Sequence, residues 1–166
     1  MRGVSEEDLC EVSIIGFPVQ IHQRAQEHLD DLLREFMLIA AASEQGPRTH
    51  VPRQLLDLVE EIQRDFAGTT LEQDAKVLEA RENGATSVDL VYRMPSSVAK
   101  AAIRLGEALD AADSYCLAGE HLLTLATPPD ALDLRRWYFG EFVGQISGAP
   151  PTPWPDWVAA NPRQSD

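Results

Sequence analysis

Residues 12–18 read VSIIGFP, and a long amphipathic stretch, VQIHQRAQEHLDDLLREFMLIAAA, follows directly. The plan recurs twice. DLVYRMP at 89–95 precedes SSVAKAAIRLGEALDAADSYC, and LLTLATP at 122–128 precedes PDALDLRRWYFGEFVGQIS. The apolar runs carry Val, Ile, Leu, Thr and Tyr, the residues that suit a pleated, half-buried surface. Each run ends in Pro, whose fixed φ fits a first helical turn, where its missing N–H is no loss. Three strand–Pro–helix units follow from this, either as an internal repeat or as three independent copies of a common arrangement.

Apolar spacing supports the helices. Ile21, Ala25, Leu29, Leu32, Leu33, Phe36 and Ile39 share one stripe, as do Val98, Ala102, Leu105, Leu109, Ala112 and Cys116. Two further helices fall between the first and second units. One runs from Val51 to Phe66, with Pro52 in its first turn and Gly68 as its stop. The other opens at Thr70, with Thr70-x-x-Gln73 as a capping box and Gly84 as the stop. Its few apolar residues predict an exposed helix. The expected fold is α+β, a small three-stranded sheet covered by about five helices, with a mostly helical bundle as the alternative. Strand order and direction stay open.

The 166 residues fit one domain, 1–149, followed by a Pro/Trp-rich tail, 150–166. The tail interleaves Pro150, Pro151, Pro153 and Pro155 with Trp154 and Trp157. Its prolines predict polyproline II or irregular chain rather than helix. Two tryptophans in so short a segment favour a tail folded back over the core. The other reading is a Pro150-x-x-Pro153 ligand for a partner domain.

Lys and Arg number 14 against 27 Asp and Glu, a net charge of −13. Such acidity argues against nucleic-acid binding and against an anionic membrane surface. No run approaches the ~18–20 apolar residues of a membrane span, and the acidic start MRGVSEEDLCEV lacks a signal core. A cytoplasmic protein is expected, with Cys10 and Cys116 as reduced thiols. The preference for Arg over Lys suggests a GC-rich bacterial genome.

On a helical wheel of the third unit Arg135 falls in the middle of an apolar face, and Arg136 at its margin. A guanidinium so placed is paired or snorkels outward. It is either a clamp for an anion or a protein partner, or a structural ion pair drawn from the excess acids. Trp137, Tyr138, Trp154 and Trp157 are candidate partner-binding residues. His22 and His28, six apart, lie on different helix faces and do not form a metal pair, and no metal site is expected. Glu27, Asp30, Asp31 and Glu35, like Glu107, Asp110 and Asp113, read as solvated edges. No Gly-x-Ser-x-Gly, Walker or Gly-x-Gly-x-x-Gly motif occurs, so no catalytic residue is assigned.

Residues 12–68, with VSIIGFP, a long first helix and then LLDLVEEIQRDFAG, resemble the start of the anti-sigma-factor kinases of the histidine-kinase-type ATPase superfamily. The third unit resembles actinobacterial regulators of sigma-factor partner switching. In that family a helical Glu, with Asn four residues later, holds magnesium and ATP phosphates. Glu61 and Asp65 stand at that spacing, and the Asp-x-Gly-x-Gly nucleotide box is absent. The resemblance therefore implies a regulator with a degenerate or missing ATP site.

Three functions compete. The first is a non-catalytic regulatory or adaptor protein, needing no cofactor, whose acidity steers a protein partner with a basic face. The second is a degenerate magnesium-ATP-binding, serine-kinase-like domain using Glu61 and Asp65. The third is a small-molecule sensor with Arg135 binding an anionic ligand beneath the third helix. A homodimer through that helix or the tail is a further arrangement.

Overall fold

The alternation in VSIIGFP becomes a strand with one face on the core. Along β1 (Leu9–Pro18), Val12 and Ile14 are fully buried. Along β2 (Ser87–Pro95), Leu90, Tyr92 and Met94 point in, while Asp89, Val91 and Arg93 point out. The two strands pair antiparallel, with Leu9 opposite Pro95 and Ser13 opposite Val91. The structure is a computed structural model that describes residues 8–42, 49–119, 124 and 126–163.

A bulge lies between Ile14 and Phe17, where Ile15 and Gly16 together oppose Asp89. The extra residue shifts the alternation by one and brings Phe17 onto the same face as Val12 and Ile14. Gly16 has φ +73, and its N–H donates to Asp89 Oδ1 at 2.8 Å. A Cβ there would stand 3.2 Å from Pro155 Cδ. Gly16→Ala is therefore expected to cost about 1–2 kcal/mol, the left-handed penalty for a residue with a Cβ. Urea denaturation followed by tryptophan fluorescence measures it, and an unchanged midpoint would show that the bulge relaxes freely.

Three helices connect the strands: α1 (Val19–Ala42), α2 (His50–Asp65) and α3 (Leu71–Glu82). After β2 come α4 (Val98–Ala118), α5 (Pro129–Ile146) and α6 (Trp154–Ala160). Among the described residues there are thus six helices, not about five, and the sheet has two strands, not three. Of the third apolar run, 122, 123 and 125 lie outside the described residues, and Thr124 and residues 126–128 are irregular.

Both sheet edges are already occupied at the Ser13–Val91 rung. Gln145 accepts from Ser13 N–H and donates to Ser13 O, both at 2.8 Å. Gln73 Nε2 donates to Val91 O at 2.6 Å. A side-chain amide offers the donor and acceptor of a peptide, so it satisfies the edge where another strand would add. The third run instead gives its amides to carboxylates: Thr124 N–H to Glu35 at 2.7 Å and Thr127 N–H to Asp113 at 2.9 Å. The Gln73 interaction also replaces the expected capping box. Thr70 makes no side-chain cap to the α3 backbone and donates to Asp74 Oδ2 at 3.0 Å. As predicted, α3 is mostly exposed, with only Gln73 and Ala80 buried.

The core has two parts. One joins the inner sheet face to α4 and α5 through Val98, Ala102, Leu134, Trp137 and Phe142. The other joins α1, α2 and α4 through Leu32, Phe36, Leu55, Leu58, Leu109 and Ala112. Phe139 packs against both.

The tail folds back, as two nearby tryptophans suggest. Thr152 N–H donates to Glu141 Oε2 at 2.9 Å, and Thr152 O accepts from Trp137 Nε1 at 2.8 Å. Trp154 lies 5.3 Å from Trp137 between ring centroids, and Trp157 stacks on Trp154 at 5.7 Å. Residues Trp154–Ala160 nevertheless form a short helix, contrary to the irregular chain expected. Pro155 is accommodated because it occupies the first turn, where no intrahelical N–H bond is required.

Candidate functional site

The packing of α5 on α1 and the sheet leaves a cavity of about 300 Å³ lined by α1, α3, α5, Tyr92 and Thr127. Its apolar walls include Phe17, Ala25, Leu29, Leu109, Leu134 and Phe139, together with Tyr92 and Tyr138. Tyr138 Oη donates to Tyr92 Oη at 2.9 Å. Burial pushes Tyr92 up to about 12 and raises Tyr138 strongly, so both hydroxyls keep their protons. Phe17 lies 4.9 Å from His22 and 5.9 Å from Tyr138 between centroids.

Arg135 borders this cavity. Its side chain is 11% exposed, and Nη2 donates to Asp110 and to Asp113, each at 2.7 Å. Nη1 reaches Thr127 Oγ1 at 3.3 Å, and that hydroxyl donates to Asp113 Oδ1 at 2.6 Å. The excess acids thus supply a structural ion pair tying α5 to α4. Asp113 is not a solvated edge: its side chain is 17% exposed, while that of Asp110 is 69% exposed. Burial alone would raise the Asp113 carboxyl, but hydrogen bonds from Thr127 and Arg135 outweigh it and hold it below its ordinary value.

His22 and His28, on different faces of α1, both border the cavity. Burial lowers both imidazoles, against opposing acids, Asp74 at His22 and Asp113 and Asp31 at His28. Both are neutral at pH 7. Among the described residues no group of three or more His, Cys, Asp or Glu is placed to hold a metal ion. Asp74 lines the cavity from exposed α3, and beyond its bond to Thr70 it enters none of the ion pairs among the described residues.

The other sequence candidates lie elsewhere. Glu61 and Asp65 share a separate open pocket of about 360 Å³ with Lys100 and Arg104. Both Glu61 oxygens accept from Arg104, at 2.7 and 3.1 Å. This carboxylate meets a guanidinium, and the hydrogen bond from Arg104 holds it below its usual range. Trp137 is 1% exposed and its indole is spent on the tail, which corrects its place among partner-contacting residues. Tyr138 is half-buried and lines the cavity, Trp154 and Trp157 are half-buried against the core, and Arg136 is exposed.

Sequence reasoning missed Glu141 and Gln145, and gave Gln73 a capping role in place of its bond to Val91. Glu141 is buried and accepts from both Gln145 and Thr152. The i,i+4 spacing of Glu141 and Gln145 was the available signal. Cys116 is buried and its thiol is raised to about 11, chiefly by burial, so it is not a nucleophile at neutral pH. No described helix is long and apolar enough to cross a membrane. In comparisons with known proteins, the chain matches no family model, no curated protein and no solved structure.

Proposed function

We propose that the chain is a non-catalytic regulatory or adaptor protein that acts by protein–protein contact in the cytoplasm, within a switch of the sigma-factor partner type. The observation that carries this reading is the exposure of three large apolar side chains toward the ends of α1 and α4, among eight such residues in the described chain. Near the ends of α1 and α4, Phe36 meets Tyr115 with ring centroids 5.5 Å apart. Beside that contact in the chain, Met37, Leu38 and Leu117 are 54%, 68% and 79% exposed. Exposed apolar side chains on a surface of net charge −13 suit a transient interface with a basic partner. The acidic field would raise the association rate more than the affinity.

The test is a tagged pull-down from native extract of the source organism, with and without magnesium-ATP, read by mass spectrometry. One near-stoichiometric partner is expected. Its association rate should fall with added salt, and Leu38→Asp with Leu117→Asp should abolish binding. No partner in either condition, or a partner indifferent to both substitutions, overturns the reading. Recovery that changes with magnesium-ATP would favour the nucleotide-binding alternative at Glu61 and Asp65. A second copy of the chain as partner would appear as a dimer in light scattering.

A further inference from the structure

We propose that the cavity beneath α5 binds a small organic cation, an apolar or aromatic body carrying one ammonium group, held among the rings of Phe17, Tyr92, Tyr138 and Phe139 with Asp74 as counter-charge. The cavity, about 300 Å³, is the size of a small-ligand site. Its walls are mostly apolar, and its aromatic rings offer the negative faces that attract a positive charge.

Charge decides the sign of the ligand. Arg135, the only Lys or Arg among the lining residues, is already bound by Asp110 and Asp113. An anion there would face two carboxylates that already outnumber the charge of Arg135. The two lining histidines are neutral, and Asp74 lacks a cationic partner among the described ion pairs. A neutral ligand would fill the apolar volume but gain nothing from the Asp74 carboxylate or the ring faces. The protein's net charge of −13 also raises the local concentration of cations. The site is independent of the protein-contact reading, whose residues lie on the far ends of α1 and α4.

The experiment titrates the full chain with three probes by NMR: benzyltrimethylammonium, its uncharged carbon isostere neopentylbenzene, and phenylacetate. Saturable shifts at Tyr92 and Tyr138 are expected with the cation, at affinity at least about tenfold above that of neopentylbenzene. Phenylacetate should not bind. Asp74 is exposed, and Asn can still accept from Thr70, so Asp74→Asn should fold. That variant should lose the preference for the cation while still binding neopentylbenzene. Asp30→Asn, which removes a nearby acid outside the cavity lining, should leave the preference intact. Strongest binding by phenylacetate, no saturable binding by the cation, or a cation affinity unchanged in Asp74→Asn overturns the proposal.

Discussion

Arg135→Met is expected to destabilise the protein by about 3–5 kcal/mol, because it leaves the mostly buried Asp113 carboxylate without its cation. Methionine covers much of the apolar surface that the arginine stem covers, so the loss reports the broken ion pair more than lost volume. Arg136→Met, one residue along on the exposed face, should stay within about 0.5 kcal/mol of the parent. Chemical denaturation of the two variants side by side measures the contrast, and equal stabilities would show that Arg135 is not a structural tie.

Acid adds a second readout. In the parent, the folded Asp113 pKa lies below its ordinary value of 3.8. Its contribution to stability is therefore complete above that value and is lost as pH falls through the lower, folded pKa. In Arg135→Met the same carboxyl keeps its Thr127 donors but loses its cation, so its folded pKa rises relative to the parent. Protonation then costs the variant less stability than it costs the parent. The stability gap between parent and variant should be widest near neutral pH and narrow as pH falls toward 4 and below. A gap constant with pH would mean that Asp113 is not the group left unpaired.

Trp137→Ala is expected to cost about 3–5 kcal/mol. The indole is 1% exposed, packs in the sheet–α5 core and donates to Thr152 O. Its removal opens a cavity, frees the carbonyl that holds the tail, and takes away the ring against which Trp154 lies. The tail should then become sensitive to protease between Ser147 and Trp157, and the emission of Trp154 and Trp157 should shift to the red. Trp157→Ala, half-buried and outermost in the stack, should cost less and leave the Thr152 bonds in place. A Trp137→Ala protein as stable as the parent, with a protected tail, would show that the tail docks through other contacts.

Much of this architecture is legible from local pattern. The two strands announce themselves in VSIIGFP and DLVYRMP because period-two burial needs apolar residues at alternate positions. The helices do so because their stripes recur every three to four residues. Arg135 stands out because a charge inside an apolar stripe needs an opposite charge, and the chain has 27 acids to offer. The tail's return follows from the cost of leaving two indoles in water.

The misreadings share a cause. LLTLATP has strand composition, yet Thr124 and Thr127 bond to Glu35 and Asp113, acids distant in the chain. Gln73 stands at capping-box spacing, yet its amide is taken by Val91. Trp137 has the composition of an interface residue, yet its partner is the chain's own tail.

The sequence by itself determined where the two strands and the five longer helices form, the acidic surface, the need to pair Arg135 and the inward return of the tryptophan tail, since each depends on neighbours within a few turns or on bulk composition. Only the tertiary structure decided the antiparallel pairing, the two strands of the sheet among the described residues, the neutralisation of Arg135 by Asp110 and Asp113, and the cavity that Asp74 lines. Those features are set by hydrogen bonds and charges between residues far apart in the chain, and such pairings leave no local periodicity to read.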